Sequence, residues 1–387
     1  MQEVLARLGN PHLKLPRTIH AAGTNGKGST LAFLQSMLEQ GGYKVHKYVT
    51  PHLIDFNERI TLAGRHITDD ELFEIMEEVR INSEDLRLGF YEATTAGALL
   101  AFSRFKADFL LLETGLGGRL DATNIIPAPE IALITTIDKD HVNYLGDDMR
   151  SIAIEKLHIV KPGSKCISAL QQENIYPIIE GWCIKNNVEY KAYGYDFGVE
   201  VLENGFRYMT DALQVEFPKP ALIGDHQYIN AATAVTAALE LGLGGEAIAN
   251  GLQKVKWPSR LERIEKPFVP QGFELWIDGA HNNAGAYVIS NFIEQNWKDK
   301  PVYIIFGTTK GRDVKSFLKN FENIVDEIVL SKIAAEPASY EAEEMQEILG
   351  ENYAETSSLK EAISYLAGKP AGRILCVGSL FMRGDIL

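Results

Sequence analysis

The sequence predicts an α/β protein of two units. The N-terminal domain covers residues 1–256, with a mostly parallel sheet and an antiparallel β insert; a smaller α/β domain covers 257–387. Three observations lead there. Short apolar runs alternate with stretches of helical spacing, the pattern of strands buried on both faces between crossover helices. This rhythm breaks near Trp257-Pro258 and then restarts. The length of 387 residues suits more than one domain at roughly 150 residues each.

The elements follow in order. Residues 18–22 (TIHAA) predict a strand, and GTNGKGST follows as a turn. Leu31, Leu34 and Leu38 fall at helical spacing in 31–40, and Gly41-Gly42 stops that helix. YKVHKYV (43–49) reads as the next strand. ADFLLLE (107–113) and EIALITTI (130–137) are apolar enough to be strands covered on both faces, with the turn TGLGGRLDATN between them. A helix is expected over 148–158 and a strand over 164–170. Residues 186–220 mix turn residues with alternating β-branched and aromatic ones, which predicts an insert of antiparallel hairpins. An Ala-rich helix covers 230–243. Beyond the boundary, strands are expected at 273–279, 302–307, 327–332 and 373–379. Helices lie between them, the first starting near Asn283.

Composition narrows the function. With 38 Lys and Arg against 52 Asp and Glu, the net charge is −14. Such a chain repels phosphate backbones, so no nucleic-acid partner is expected and an anionic ligand needs a local exception to the global sign. Cys166, Cys183 and Cys376 are few, widely spaced and odd in number, so they are expected as small buried hydrophobes without disulfides. The N-terminal segment lacks the apolar core of a signal peptide, and no apolar run approaches about 18 residues. The expected setting is the cytoplasm, with no membrane partner.

Gly23-Thr24-Asn25-Gly26-Lys27-Gly28-Ser29-Thr30 lies between a predicted strand and a predicted helix. Glycines let backbone N–H groups turn toward phosphate oxygens. The helix N-terminus adds positive dipole, Lys27 a point charge, and Ser29 a hydroxyl for Mg2+. The spacing departs from the strict P-loop, because Gly28 separates Lys27 from Ser29. The same residues would also make a tight turn used for packing alone. The flanking strand and helix favour nucleotide.

Glu113 closes a predicted strand just before Gly115-Leu116-Gly117-Gly118-Arg119. Ligands of open α/β sheets bind beyond the carboxyl ends of strands, and a carboxylate there can hold Mg2+. The other reading pairs it with Arg119. Asp121, Thr123 and Asn124 follow, to bind substrate or to cap the turn. His141, in Asp138-Lys139-Asp140-His141, is either a second metal ligand or an unliganded loop histidine. Lys156, on a predicted helix, reads as a solvated surface lysine. Asp278 and His281 form a polar cluster at a strand end of the second unit, expected to face the same ligand. Arg260 either clamps a transferring phosphoryl group or makes a linker salt bridge.

Nine blocks in order resemble the Mur ligase superfamily and, within it, the folylpolyglutamate synthase/dihydrofolate synthase family. They are HAAGTNGKGST (20–30), TPHLIDFNERI (50–60), FYEATTAGAL (90–99), LLETGLGGRLDATN (111–124), TTIDKDHVNYLG (135–146), IAIEKLHIVKPG (152–163), GDHQYINAATA (224–234), WPSRLE (257–262) and IDGAHNNAGA (277–286). The resemblance implies a P-loop-type N-terminal domain and a Rossmann-like C-terminal one. It implies ATP-dependent ligation of L-glutamate to dihydropteroate or a reduced folate through an acyl phosphate, by a monomer using ATP and Mg2+. ATP would meet residues 23–30, Asn230, Arg260, Asp278 and His281. The metal would meet Ser29, Glu113 and His141, and substrate would meet Pro51, His52, Asp121 and Thr123. Lys27, His141, Arg260 and Lys156 would be catalytic, with Lys156 carbamylated as in relatives.

Three departures stand out. EKLHI replaces the family's usual EKAGI, so His158 stands where glycine is common. HNN replaces HNP at 281–283. Family members usually carry a further helical segment before the LGNP-like stretch. The other readings are a peptidoglycan-type Mur ligase acting on a UDP-sugar and a nucleotide-binding regulator without catalysis. The 50–60 and 90–99 blocks favour the folate type.

Overall fold

Strand β1 (Arg17–Ala22) lies inside the larger sheet. Its partners are β2 (Val45–Tyr48), β3 (Ile60–Leu62), β4 (Arg65–His66), β5 (Phe109–Glu113), β6 (Ile131–Ile134), β7 (Lys165–Ser168) and β8 (Glu189–Ala192). In this computed structural model, which describes residues 1–350 and 352–386, their order is β4-β3-β2-β5-β1-β6-β7-β8. Strands β2, β5, β1, β6, β7 and β8 run parallel, while β3 and β4 add an antiparallel edge. In register, Ala21 of β1 sits beside Glu113 of β5 and Leu133 of β6. The segments after Ala22, Glu113 and Ile134 therefore leave the sheet at one carboxyl edge, where open α/β sheets bind ligands.

All residues of β5 are buried, as a covered central strand requires. The helix after β1 spans Lys27–Gln40 and buries Leu31, Phe33, Leu34, Met37 and Leu38. It begins four residues before the predicted start, because Lys27 to Thr30 form its first turn. Strand β6 ends at Ile134, short of the predicted 137. Residues 135–138 are spent on the neighbouring turn instead. The Thr136 carbonyl accepts from Thr24 N at 2.9 Å and Asn25 N at 3.3 Å.

The antiparallel insert is smaller than expected. It comprises β9 (Phe197–Leu202), β10 (Gly205–Thr210) and β11 (Gln214–Pro218). Strand β8, which the alternation of 186–220 assigned to it, pairs parallel with β7. The helix Tyr176–Asn186 supplies the crossover that a parallel pair needs. Side-chain alternation cannot report which neighbour a strand chooses.

The chain clusters into two units: Met1–Ala221 with Gln227–Lys256, and Leu222–His226 with the chain from Trp257 onward. The second contains β12 (Glu262–Ile264), β13 (Glu274–Ile277), β14 (Val302–Phe306), β15 (Glu327–Ser331), β16 (Ala354–Thr356) and β17 (Arg373–Val377). Their order is β12-β13-β17-β14-β15-β16, parallel except for β12. Separate apolar clusters are built around Ile304 and Phe306 and around Ile305 and Cys376, as the alternation along β14 dictates. The helix Asn283–Asn296 starts where the sequence predicts, capped by the Asn282 side chain, which accepts from Gly285 N. The fold class is the predicted one. Cys166, Cys183 and Cys376 are buried and unpaired. Among the described residues, no helix is long and apolar enough to cross a membrane.

Candidate active site

The turn after β1 is held from beneath. Thr24 Oγ1 donates to the Asp138 carbonyl at 2.7 Å and accepts from Asp138 N at 2.9 Å. Gly26 has φ +88°, and a Cβ there would lie 2.5 Å from Asn230 Oδ1, so only glycine fits between the turn and Asn230. Asn230 is buried and donates to Gln227 Oε1. Ser29 and Thr30 are buried in the first turn of the following helix.

Two lysines converge on one carbonyl. Lys27 Nζ donates to Gly23 O at 3.1 Å and to Thr24 O at 3.3 Å. Lys156 Nζ donates to the same Gly23 O at 3.0 Å. Lys27 Nζ also lies 3.9 Å from Oε1 of buried Glu113. The solvated Lys156 that the residue read alone predicts is not found, for the residue is only 5% exposed, as the catalytic reading implied by the family resemblance allows. Burial, and then the Lys27 charge, bring its pKa down to about 7, against the pull of Asp140 and Asp121.

The helix carrying Lys156, Met149–Leu157, is capped by Asp148, which accepts from Ser151 N and Ser151 Oγ. The glycine-rich turn lies directly on it. A Cβ on Gly118 would come within 2.6 Å of Glu155 O and 2.8 Å of Lys156 O. Arg119 N donates to Glu155 O at 2.9 Å, and Arg119 Nε to Glu155 Oε1 at 2.8 Å. Arg119 thus pairs with Glu155, whereas the ion-pair reading of Glu113 paired it there.

Asp121 organises the same turn. Its Oδ2 accepts from Gly115 N at 2.8 Å and Leu116 N at 3.0 Å. Its Oδ1 accepts from Thr123 N at 2.9 Å and Thr123 Oγ1 at 2.6 Å. Of the two readings open for Asp121, turn capping is the one its contacts display. Thr123 Oγ1 also lies 2.8 Å from Nε2 of buried His20. Sequence reasoning passed over His20; the one available signal was a histidine inside an apolar strand.

His141 has φ 52° and starts the short helix Val142–Leu145, with its ring 3.8 Å from the Asp140 carboxylate. Among the described residues, no group of three or more His, Cys, Asp or Glu side chains is gathered for a metal. Pro51 follows a cis peptide bond. His52 Nδ1 accepts from Arg59 Nε at 2.9 Å, and the Arg59 guanidinium lies over the Phe56 and Phe90 rings at 5.2 and 5.8 Å. In the second unit, Asp278 follows β13 and accepts from Leu261 N and Ala280 N, both at 2.8 Å. Burial raises its pKa and Arg260 opposes the rise. Arg260 Nη1 donates to Ser259 O at 2.9 Å, and the His281 ring lies 2.9 Å from Gly279 O.

Comparison with known proteins agrees with this architecture. Residues 21–238 match the Mur ligase middle domain, and 259–380 match the Mur ligase glutamate ligase domain. The dihydrofolate synthase/folylpolyglutamate synthase of Bacillus subtilis is 33% identical, over 100% of this chain and 93% of its own. The structure of Escherichia coli FolC in complex with DHPP and ADP superposes with a TM-score of 0.89 at 27% identity, covering 99% of this chain and 90% of its own. A bifunctional folylpolyglutamate synthase/dihydrofolate synthase with Mn, AMPPNP and L-glutamate bound gives a TM-score of 0.87 at 26% identity, covering 100% and 92%. With the P-loop turn, the glycine-rich turn and both domain matches in place, the chain belongs to the dihydrofolate synthase/folylpolyglutamate synthase family of Mur ligase proteins.

Proposed function

We propose that this chain uses ATP to join L-glutamate to the carboxylate of dihydropteroate, of a reduced folate, or of both. A carboxylate oxygen attacks the γ-phosphorus of ATP, and ADP leaves. The glutamate amine then attacks the acyl carbon of the acyl phosphate, loses a proton, and phosphate leaves. The first step brings two anions together, so catalysis needs positive charge held in place. The observation that carries the reading is the Lys27 ammonium, held at the turn after β1 by Gly23 O and Thr24 O beside buried Glu113. In a chain of net charge −14, this is the local exception an anionic substrate requires.

The donor set suits a hard divalent cation. Glu113 and Ser29 offer oxygens, both buried at the carboxyl edge of the sheet, and such an ion takes few protein ligands beside phosphate. We assign Glu113, Ser29 and His141 to it. Bound there, it would neutralise charge between the reacting anions. Residues 23–30 and Asn230 would hold the ATP phosphates. Arg260, Asp278 and His281 are assigned to ATP by their motifs. Pro51, His52, Asp121 and Thr123 are assigned to the acceptor side, Asp121 through the turn it shapes. A Lys156 amine that is partly neutral near pH 7 suits addition to CO2, so a carbamate there is part of the proposal. We further infer a cytoplasmic monomer.

The test is acceptor dependence. Purified protein is mixed with ATP, Mg2+, L-glutamate and one acceptor at a time, and phosphate release is measured. Release with dihydropteroate or tetrahydrofolate is expected. Release with a UDP-sugar acceptor alone would overturn the reading. ATP binding with no acceptor-dependent release would make the chain a regulator.

A further inference from the structure

We propose that His20 is a positioning residue of the ligation reaction, holding Thr123 and through it Asp121 and the glycine-rich turn. The inference rests on the ligase reading above. His20 lies in β1, three residues before Gly23, and is fully buried. The Thr123 hydroxyl has one hydrogen, and it goes to Asp121 Oδ1 at 2.6 Å, because a carboxylate only accepts. His20 Nε2, 2.8 Å from Thr123 Oγ1, must therefore carry the hydrogen and donate. The neutral ring then has an unprotonated Nδ1, which is buried and has no hydrogen-bond partner. Burial keeps the ring neutral, with its pKa down at about 3, so this arrangement persists across the physiological range.

An unpaired buried nitrogen is a cost that a leucine in the same place would not carry. What the histidine adds is one bond, and that bond leads to the site. Asp121, fixed through Thr123, holds Gly115 N and Leu116 N, just beyond Glu113. The same turn lies on the backbone of Glu155 and Lys156 at Gly118. His20 thus ties the strand feeding the P-loop to the turn that links Glu113 and Lys156. Small displacements of positioned groups are costly to rate, so loss of this tie should appear in turnover of the acceptor.

The experiment compares His20→Leu with His20→Gln, whose amide N–H reaches about as far as Nε2. Wild type is assayed first with dihydropteroate and with tetrahydrofolate. His20→Leu is expected to lower acceptor kcat/KM about tenfold or more, with the KM for ATP within about twofold. His20→Gln is expected to regain most of that loss, while the two variants share a similar thermal midpoint. Wild-type kinetics in His20→Leu, or a loss that folded His20→Gln does not relieve, would overturn the role. Should His20→Leu not fold, Thr123→Val and Thr123→Ser decide it from the other side. Loss in the valine variant with recovery in the serine variant supports the tie, and wild-type kinetics in Thr123→Val refutes it. A wild-type protein inactive with every acceptor defeats the ligase reading and this role together, whereas an active wild type with normal variants defeats the role alone.

Discussion

Lys156 carries its amine into a buried place against the P-loop, where it bonds Gly23 O and feels the charge of Lys27. Its pKa falls from the usual 10.5 to about 7 on folding. Between those values the unfolded chain binds the extra proton, so this group makes stability rise with pH across that window. The cost is fully present below about pH 7 and vanishes above the unfolded value. Lys156→Met removes it. In CO2-free buffer, the variant's thermal midpoint minus that of wild type should be largest near about pH 6 and shrink steadily toward about pH 10. A difference flat across that range would show that the folded chain holds the amine at its ordinary pKa. Neither the burial nor the shift is legible in EKLHI, where lysine on a helix reads as surface. Asp121 was legible only as an alternative, and in the fold it accepts from four donors of its own turn.

At the scale of elements, the turn over 115–123 packs directly on the backbone of the helix Met149–Leu157. Gly118 makes the closest approach, and the obstructing atoms are backbone, which cannot swing aside. Gly118→Ala should cost about 1–3 kcal/mol in denaturant unfolding, as overpacking typically does. It should also lower ligation beyond what the lost stability explains, because it displaces the helix that carries Lys156. Wild-type stability together with wild-type turnover would mean that the turn does not bear on the helix. The strand–turn–helix order around β1 was readable because glycines and helical spacing are local signals. The pairing of β8 with β7 was not, since a strand's partner is chosen by the crossover helix and the open sheet edge.

Across the molecule, cohesion comes from packed cores and not from covalent links. Cys166, Cys183 and Cys376 are all buried and unpaired. A reductant should therefore leave the thermal midpoint unchanged. Ellman titration should find three thiols in denaturant and little immediate reaction in the native protein. Rapid native reaction, or a midpoint lowered by reductant, would contradict the buried, unpaired state. The net charge of −14 takes on a local meaning as well. Part of the acidic excess shapes the site itself: Glu113 stands beside Lys27, Asp121 caps the turn, and Glu155 holds Arg119.

By itself, the sequence determined the α/β class, the punctuation of strands and helices, and the family to which the blocks belong. Those features live in period, in glycine placement and in short motifs, all local along the chain. Tertiary structure decided which side chains share a buried space. It buried Lys156 against Gly23, gave Arg119 to Glu155, turned Asp121 inward on its own loop and set His20 against Thr123. Burial and pairing are properties of residues distant in sequence, up to 133 positions apart for Lys156 and Gly23, so only the folded chain could assign them.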